Sequence, residues 1–201
     1  QKASKAIEKG EFNDEIIPVN DISEDGCIRP DTTLESMAQL KPAFDKEGVV
    51  TAGTSSPLTD GAAAVIVCSE DYAKSNKLKM LAYIRGMAIS GCSPEIMGIG
   101  PVVSSQKALK RAGLKLEDID IIEMNEAFAA QSLACVDELG IDMSKLNIHG
   151  GALAMGHPLG ASGARITGKA ASLLQNNGAR YALSTMCVGG GQGCATILER
   201  A

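Results

Sequence analysis

No tryptophan occurs in this chain, aromatic residues make up only 3% of it, and no basic stripe with interleaved aromatics appears. The formal net charge is −5 and the sequence pI near 5.1. Together these argue against a nucleic-acid partner. No apolar run is long enough to span a bilayer and no secretory h-region opens the chain, so no membrane partner is expected. Cys-x-x-Cys pairs are also missing. Cys27, Cys68, Cys92, Cys135, Cys187 and Cys194 show no zinc spacing, so no metal is expected. Scattered among apolar neighbours, most of them read as reduced, buried thiols of a cytoplasmic protein, with Cys68, Cys135 and Cys194 expected as buried, inert cysteines at strand ends. The chain opens on Gln1 rather than Met, and is expected to begin partway through something longer.

What remains is apolar material: 45% of the 201 residues are hydrophobic and 21% charged. That suits one large domain, or one and a half smaller ones. Residues 1–9 have helical composition and stop at Gly10, and residues 15–19 read as a short strand. Thr32-Thr33-Leu34-Glu35 reads as a capping box with Thr32 as N-cap, opening a short helix before Pro42. Up to about residue 50 the chain mixes short elements, as an excursion does rather than a core. Residues 62–68 are a buried-strand candidate, followed by a polar helix over 70–76.

From Leu81 an alternation sets in. Strands are expected at 81–90, 119–124, 146–149, 180–186 and 193–198, with helices at 104–112, 126–139 and 162–176. The order is βαβαβαββ. Apolar strands joined by crossover helices imply a sheet covered on both faces, an α/β layer architecture. Two glycine patterns are dismissed. Gly163-Ala164-Arg165-Ile166-Thr167-Gly168-Lys169-Ala170 has Ala where a phosphate loop needs Ser or Thr. Gly156, Gly160 and Gly163 lack the dinucleotide spacing, with no acidic residue about twenty positions on.

Two segments carry the chemistry. Gly150-Gly151-Ala152-Leu153-Ala154-Met155-Gly156-His157-Pro158-Leu159-Gly160 puts an imidazole in a glycine-rich turn, and Cys187-Val188-Gly189-Gly190-Gly191 puts a thiol at a strand end. His157 reads as a loop histidine bonded to backbone or, projected by Gly156 and Pro158, as a base or oxyanion donor. Cys187 is expected to be uncovered by Gly189–Gly191 and surrounded by N–H donors, which lower a thiol pKa. Asn125, at the junction after strand 119–124, reads as the N-cap of the next helix, with an amide aimed into the same cleft as His157.

Asn125-Glu126-Ala127-Phe128, Gly156-His157-Pro158-Leu159-Gly160 and Cys187-Val188-Gly189-Gly190-Gly191, in this order and spacing, strongly resemble the motifs of thiolases, the acetyl-CoA acyltransferases. The resemblance extends to Arg29-Pro30-Asp31-Thr32-Thr33-Leu34-Glu35, Lys41-Pro42-Ala43-Phe44 and Thr51–Ala62, and so covers essentially the whole chain. It implies a thiolase-like α/β fold: residues 1–50 as a remnant of the loop domain, 51–78 as a return segment of the N-terminal half, and 79–201 as the C-terminal βαβαβαββ half. It implies reversible acyl transfer between coenzyme A thioesters, without a metal or other cofactor, in a homodimer or tetramer when complete. Under it His157 activates the acylated cysteine and contributes to an oxyanion hole in which Asn125 holds a water. Cys187 takes and returns the α-proton, and the Gly189 N–H helps form the second hole. Ser56 contacts the pantetheine arm and Met97 lines the acyl pocket. The family's nucleophilic cysteine has no counterpart among these residues, so the N-terminal half is an expected partner. Degradative 3-ketoacyl-CoA thiolase, biosynthetic acetoacetyl-CoA thiolase and a non-catalytic half-domain subunit all stay open.

Overall fold

A computed structural model describes residues 1–201. Helix α1 (Lys2–Glu8) buries Ala3 and Ala6, and α2 (Leu34–Ala38) follows a long irregular stretch. A 3₁₀ turn at Ala52–Thr54 and α3 (Glu70–Ser75) precede the sheet. Then come β1 (Ala82–Gly91), a 3₁₀ segment Pro94–Ile99, α4 (Gly100–Ala112), β2 (Ile121–Met124) and α5 (Ala129–Leu139). The short α6 (Ala152–Met155), α7 (Ser162–Asn176), β3 (Tyr181–Val188) and β4 (Gln192–Arg200) complete the chain.

The strands form one mixed sheet in the order β1-β4-β3-β2. β2 runs parallel to β3, and β4 is antiparallel to both its neighbours. One face packs under α4 and α5 around Ile122, Met124, Leu183, Ala195 and Ile197. The other packs under α7 through Ile121, Leu173, Leu174, Ala182 and Leu198. Truncating a fully buried leucine in such a core costs about 2–5 kcal/mol. The helices end where expected: Gly113 (φ 69°) and Gly140 (φ 73°) cap α4 and α5 in the left-handed region, which only glycine enters freely.

Several expectations are corrected. Residues 15–19 form no strand; a single bridge, Val19 to Ile22, replaces it. The N-cap is Thr33, not Thr32: Thr33 accepts from the Ser36 N–H while Ser36 Oγ accepts from the Thr33 N–H, and Thr32 bonds back to Arg29. The helix expected from 126 starts at Ala129, because Phe128 is extended in a bridge to Ser55 and the Ala127 carbonyl accepts from the Ser56 N–H. Asn125 is therefore not its cap. Residues 146–149 contribute one parallel bridge, Ile122 to Leu146, and no strand, since Asn147 turns to φ 43°.

The buried strand expected at 62–68 is exposed, with Ile66 85% and Val67 71% accessible. Val65 lies along α7, with Cγ1 3.2 Å from where a Cβ on Gly168 would sit. A strand needs a lateral neighbour for its N–H and C=O groups, and none of these 201 residues supplies one. On the same side, Met87 and Ile89 of β1 are also bare, because α7 covers only the part of the sheet away from β1. No helix is long and apolar enough to cross a membrane.

Candidate active site

His157 stands between α6 and α7. Gly156 (φ 93°) turns the chain out of α6, and α7 opens five residues after the histidine. The imidazole Nδ1 lies 2.6 Å from Ser162 Oγ, and the Ser162 hydroxyl donates to the Pro158 carbonyl at 3.1 Å. With that proton engaged, Ser162 accepts from Nδ1–H, so the network assigns the hydrogen to Nδ1 and leaves a lone pair on Nε2. Burial, and secondarily the Arg165 guanidinium, hold the imidazole below its ordinary pKa. It is neutral at pH 7, in the form that accepts a proton. A cavity of about 360 Å³, walled by Leu58, Thr59, Asp60 and Leu159, opens on it.

Asn125 follows the last residue of β2, and its N–H donates to the Thr185 carbonyl at 3.0 Å. Its side chain is fully buried, yet neither Oδ1 nor Nδ2 has a partner in the chain. An amide desolvated in this way costs about 1–3 kcal/mol per unmet group, so it suits a place where a water or ligand completes the bonding.

Cys187 differs from expectation. β3 runs on to Val188, so Cys187 lies inside the ladder opposite Gly193, 5% exposed. Burial pushes its thiol up rather than down; a backbone hydrogen bond offsets part of this, and the nearby Cys92 adds to it. The glycines lie beyond the strand and do not uncover the sulfur. Gly189 is exposed in the turn, with nothing within 4 Å of where a Cβ would sit. Cys135, also buried, is pushed up to about 11 by burial. Cys68, expected to be buried, is instead exposed, because the segment 62–68 that carries it joins no sheet.

Ser56 is tied to the Asn125 segment, its hydroxyl donating to the Ala127 carbonyl at 3.1 Å. Met97 sits in the 3₁₀ segment, its carbonyl 3.9 Å from Cys92 Sγ. Ser56 thus sits beside the Asn125 segment, whereas the cavity at His157 is lined by neither Asn125 nor Ser56, so the Asn125 amide does not open into it as expected. Cys187 and Met97 lie on the Cys92 side, reached from Asn125 through Thr185, two residues before Cys187. No hydrogen bond joins the Cys187 thiol to His157. Sequence reasoning missed Ser162, Arg165, Glu126 and Asn147. Glu126 lies within the quoted Asn-Glu-Ala-Phe string and Ser162 starts the helix beyond the turn, but only contacts reveal what either touches.

A neutral imidazole, a protonated thiol and a free buried amide at one end of a mixed α/β sheet are groups chemically suited to covalent acyl transfer. The sequence matches the thiolase C-terminal domain over residues 78–200 and the thiolase N-terminal domain over residues 1–71. The chain belongs to the thiolase family. It is 51% identical to a 3-ketoacyl-CoA thiolase of Vibrio parahaemolyticus, over 99% of this chain and 54% of that protein. It is 52% identical to one of Marinobacter nauticus, over 98% and 54%. The fold superposes on a human mitochondrial 3-ketoacyl-CoA thiolase, also solved in complex with CoA, with TM-score 0.98 and 48% identity over all of this chain and 52% of that one. A Bacillus anthracis acetyl-CoA acetyltransferase gives TM-score 0.94 at 43% identity, over all of this chain and 53% of that one. The chain thus spans about half the length of the relatives it matches.

Proposed function

We propose that these residues form the acid–base half of a thiolase that cleaves 3-ketoacyl-CoA with coenzyme A, or condenses acyl groups in reverse. The observation that carries this is the His157–Ser162 pair, which leaves Nε2 as an acceptor in a cavity lined by Leu58 and Thr59. Nε2 first takes a thiol proton; the resulting Nε2–H then donates to the developing oxyanion. One tautomer therefore serves both roles that the resemblance implies. Each oxyanion donor contributes about 3 kcal/mol. Asn125 holds a water in that hole with its unpartnered amide. The Cys187 thiol, kept protonated by burial, gives its proton to the acetyl-CoA carbanion on cleavage and takes it back on condensation. The Gly189 N–H supports the second hole, Ser56 the pantetheine arm and Met97 the acyl pocket. No metal or further cofactor enters this scheme.

The nucleophilic cysteine lies on a segment outside these residues. Its support is the bare apolar side of the sheet at Met87 and Ile89, the unpaired segment 62–68, and the half-length match to the relatives. A degradative enzyme is favoured over a biosynthetic one by the structural superpositions, at 48% identity with the human 3-ketoacyl-CoA thiolase against 43% with the acetyltransferase. The test follows loss of acetoacetyl-CoA enolate absorbance with free CoA, for the purified 201-residue chain and for the chain joined to a thiolase N-terminal half. Activity only in the joined protein is expected. Turnover by the chain alone would mean that one of its own cysteines carries the acyl group, and no turnover in either would leave a non-catalytic subunit.

A further inference from the structure

Asn147 is held on every side. It is 2% exposed and holds φ 43°, a left-handed conformation that a non-glycine residue adopts at a cost. Its side chain is fully used. Oδ1 accepts from the Met124 N–H at 2.9 Å, and Nδ2 donates to the Met124 carbonyl at 2.9 Å and to Glu126 Oε1 at 2.8 Å. The amide therefore clasps both backbone groups of the residue before Asn125. Glu126, the residue after Asn125, uses its other oxygen: Oε2 accepts from the Leu153 N–H at 3.1 Å, in the short helix that ends at Gly156-His157. The two sides are also packed close. A Cβ on Gly151 would come within 2.3 Å of the Glu126 carboxylate.

Resting on the thiolase reading, we propose that Asn147 and Glu126 are positioning residues, forming a clamp that sets the separation of Asn125 from His157. The chain of bonds runs Met124–Asn147–Glu126–Leu153, with Asn125 at one end and His157 four residues beyond the other. A carboxylate is required at 126 because both groups facing it are N–H donors, and only an acceptor-only group satisfies both. Glutamine has one oxygen and turns an NH₂ onto one of the donors. An amide is required at 147 because it faces one donor and two acceptors. Aspartate there sets carboxylate against both the Met124 carbonyl and Glu126.

This complementarity provides the test, made in the complete enzyme. Glu126→Gln and Asn147→Asp are each expected to lower kcat of thiolysis by about 10²-fold, the cost of a misplacement near 1 Å, while KM for CoA stays within about twofold. The exchange variant, carrying both Asn147→Asp and Glu126→Gln, restores the link between positions 147 and 126, while the contact of the new carboxylate with the Met124 carbonyl stays unfavourable. Its new amide at position 126 donates through Nε2 to the new carboxylate at position 147 and accepts through Oε1 from the Leu153 N–H. Its kcat is expected to lie about tenfold above the product of the two single losses, as for coupled neighbours. Single variants with normal kcat, or an exchange variant that loses the product of the two single losses, would overturn the proposal. If the unmodified enzyme shows no thiolysis, the reaction reading fails and the clamp is judged by amide exchange. Faster exchange at Leu153 in the single variants than in the exchange variant supports it; equal exchange in all of them refutes it.

Discussion

The Nδ1 atom of His157 and the Ser162 hydroxyl are 2.6 Å apart, and the hydroxyl donates its own hydrogen bond to the Pro158 carbonyl. A serine that is itself committed as donor sets the tautomer of the imidazole beside it. Because Ser162 is also the first residue of α7 and fully buried, the whole helix start orients the ring.

Ser162→Ala removes the acceptor for Nδ1–H while leaving the helix start intact. In the complete enzyme this is expected to cost roughly tenfold in kcat, less than the about 10²–10⁴-fold loss for His157→Ala, which removes the acid–base group itself. Steady-state thiolysis checks the ratio, and ¹⁵N shifts of the ring nitrogens check the tautomer. A mixture of tautomers in the serine variant is the expected spectrum.

The pH dependence follows from the depressed His157 pKa. The neutral ring is the working form, so kcat/KM is lost as pH falls through the folded value, which lies below the ordinary 6.5. Burial is the larger cause and Arg165 the smaller. Arg165→Met should therefore shift the acid limb upward yet leave it below 6.5. A pH–rate profile of the two proteins measures this, and an unmoved limb would mean that Arg165 does not act on the ring.

Glu123 on β2 is buried among Arg165, Lys169, Glu126 and Glu15, with Oε1 unpartnered, and burial raises its pKa to about 8. Between the unfolded value of 4.5 and 8 the folded state holds the proton that the unfolded chain releases. Stability therefore falls as pH rises through that window. Glu123→Gln is expected to flatten this fall and to be the more stable protein at pH 8. Urea unfolding at pH 5 and pH 8 gives the comparison.

Limiting iodoacetamide on the 201-residue chain is expected to label exposed Cys68 first and buried Cys187 and Cys135 slowly, the reverse of what the glycines after Cys187 suggest. Burial raises both buried thiols, so at pH 7 the attacking thiolate is scarce as well as covered. Peptide mapping at short times decides the order, and leading modification at Cys187 would contradict its burial in the ladder.

Much of the fold was legible because its signals are local. Apolar runs between Leu81 and Arg200 place all four strands and the three long helices within a few residues, and Gly113 and Gly140 mark two helix ends. His157 and Asn125 stand out in their motif strings whatever the packing, but what each touches is set only by the fold. The failures share one cause. Thr33 rather than Thr32, the exposed 62–68 segment and the lone bridge at Leu146 depend on which partner each backbone group finds, and a linear string does not record partners.

Sequence alone determined which chemical groups are available: two histidines, a thiol before three glycines, and an Asn-Glu-Ala-Phe string after an apolar strand. Tertiary structure decided their states. The register of β3 against β4 carried Cys187 inside the ladder opposite Gly193 and so kept its proton on. The first turn of α7 brought Ser162 back to His157 and chose the nitrogen that holds the hydrogen. The left-handed turn at Asn147 linked Met124 to Leu153 through Glu126. Protonation and orientation depend on burial and on hydrogen-bond partners, which exist only once residues far apart in the chain meet.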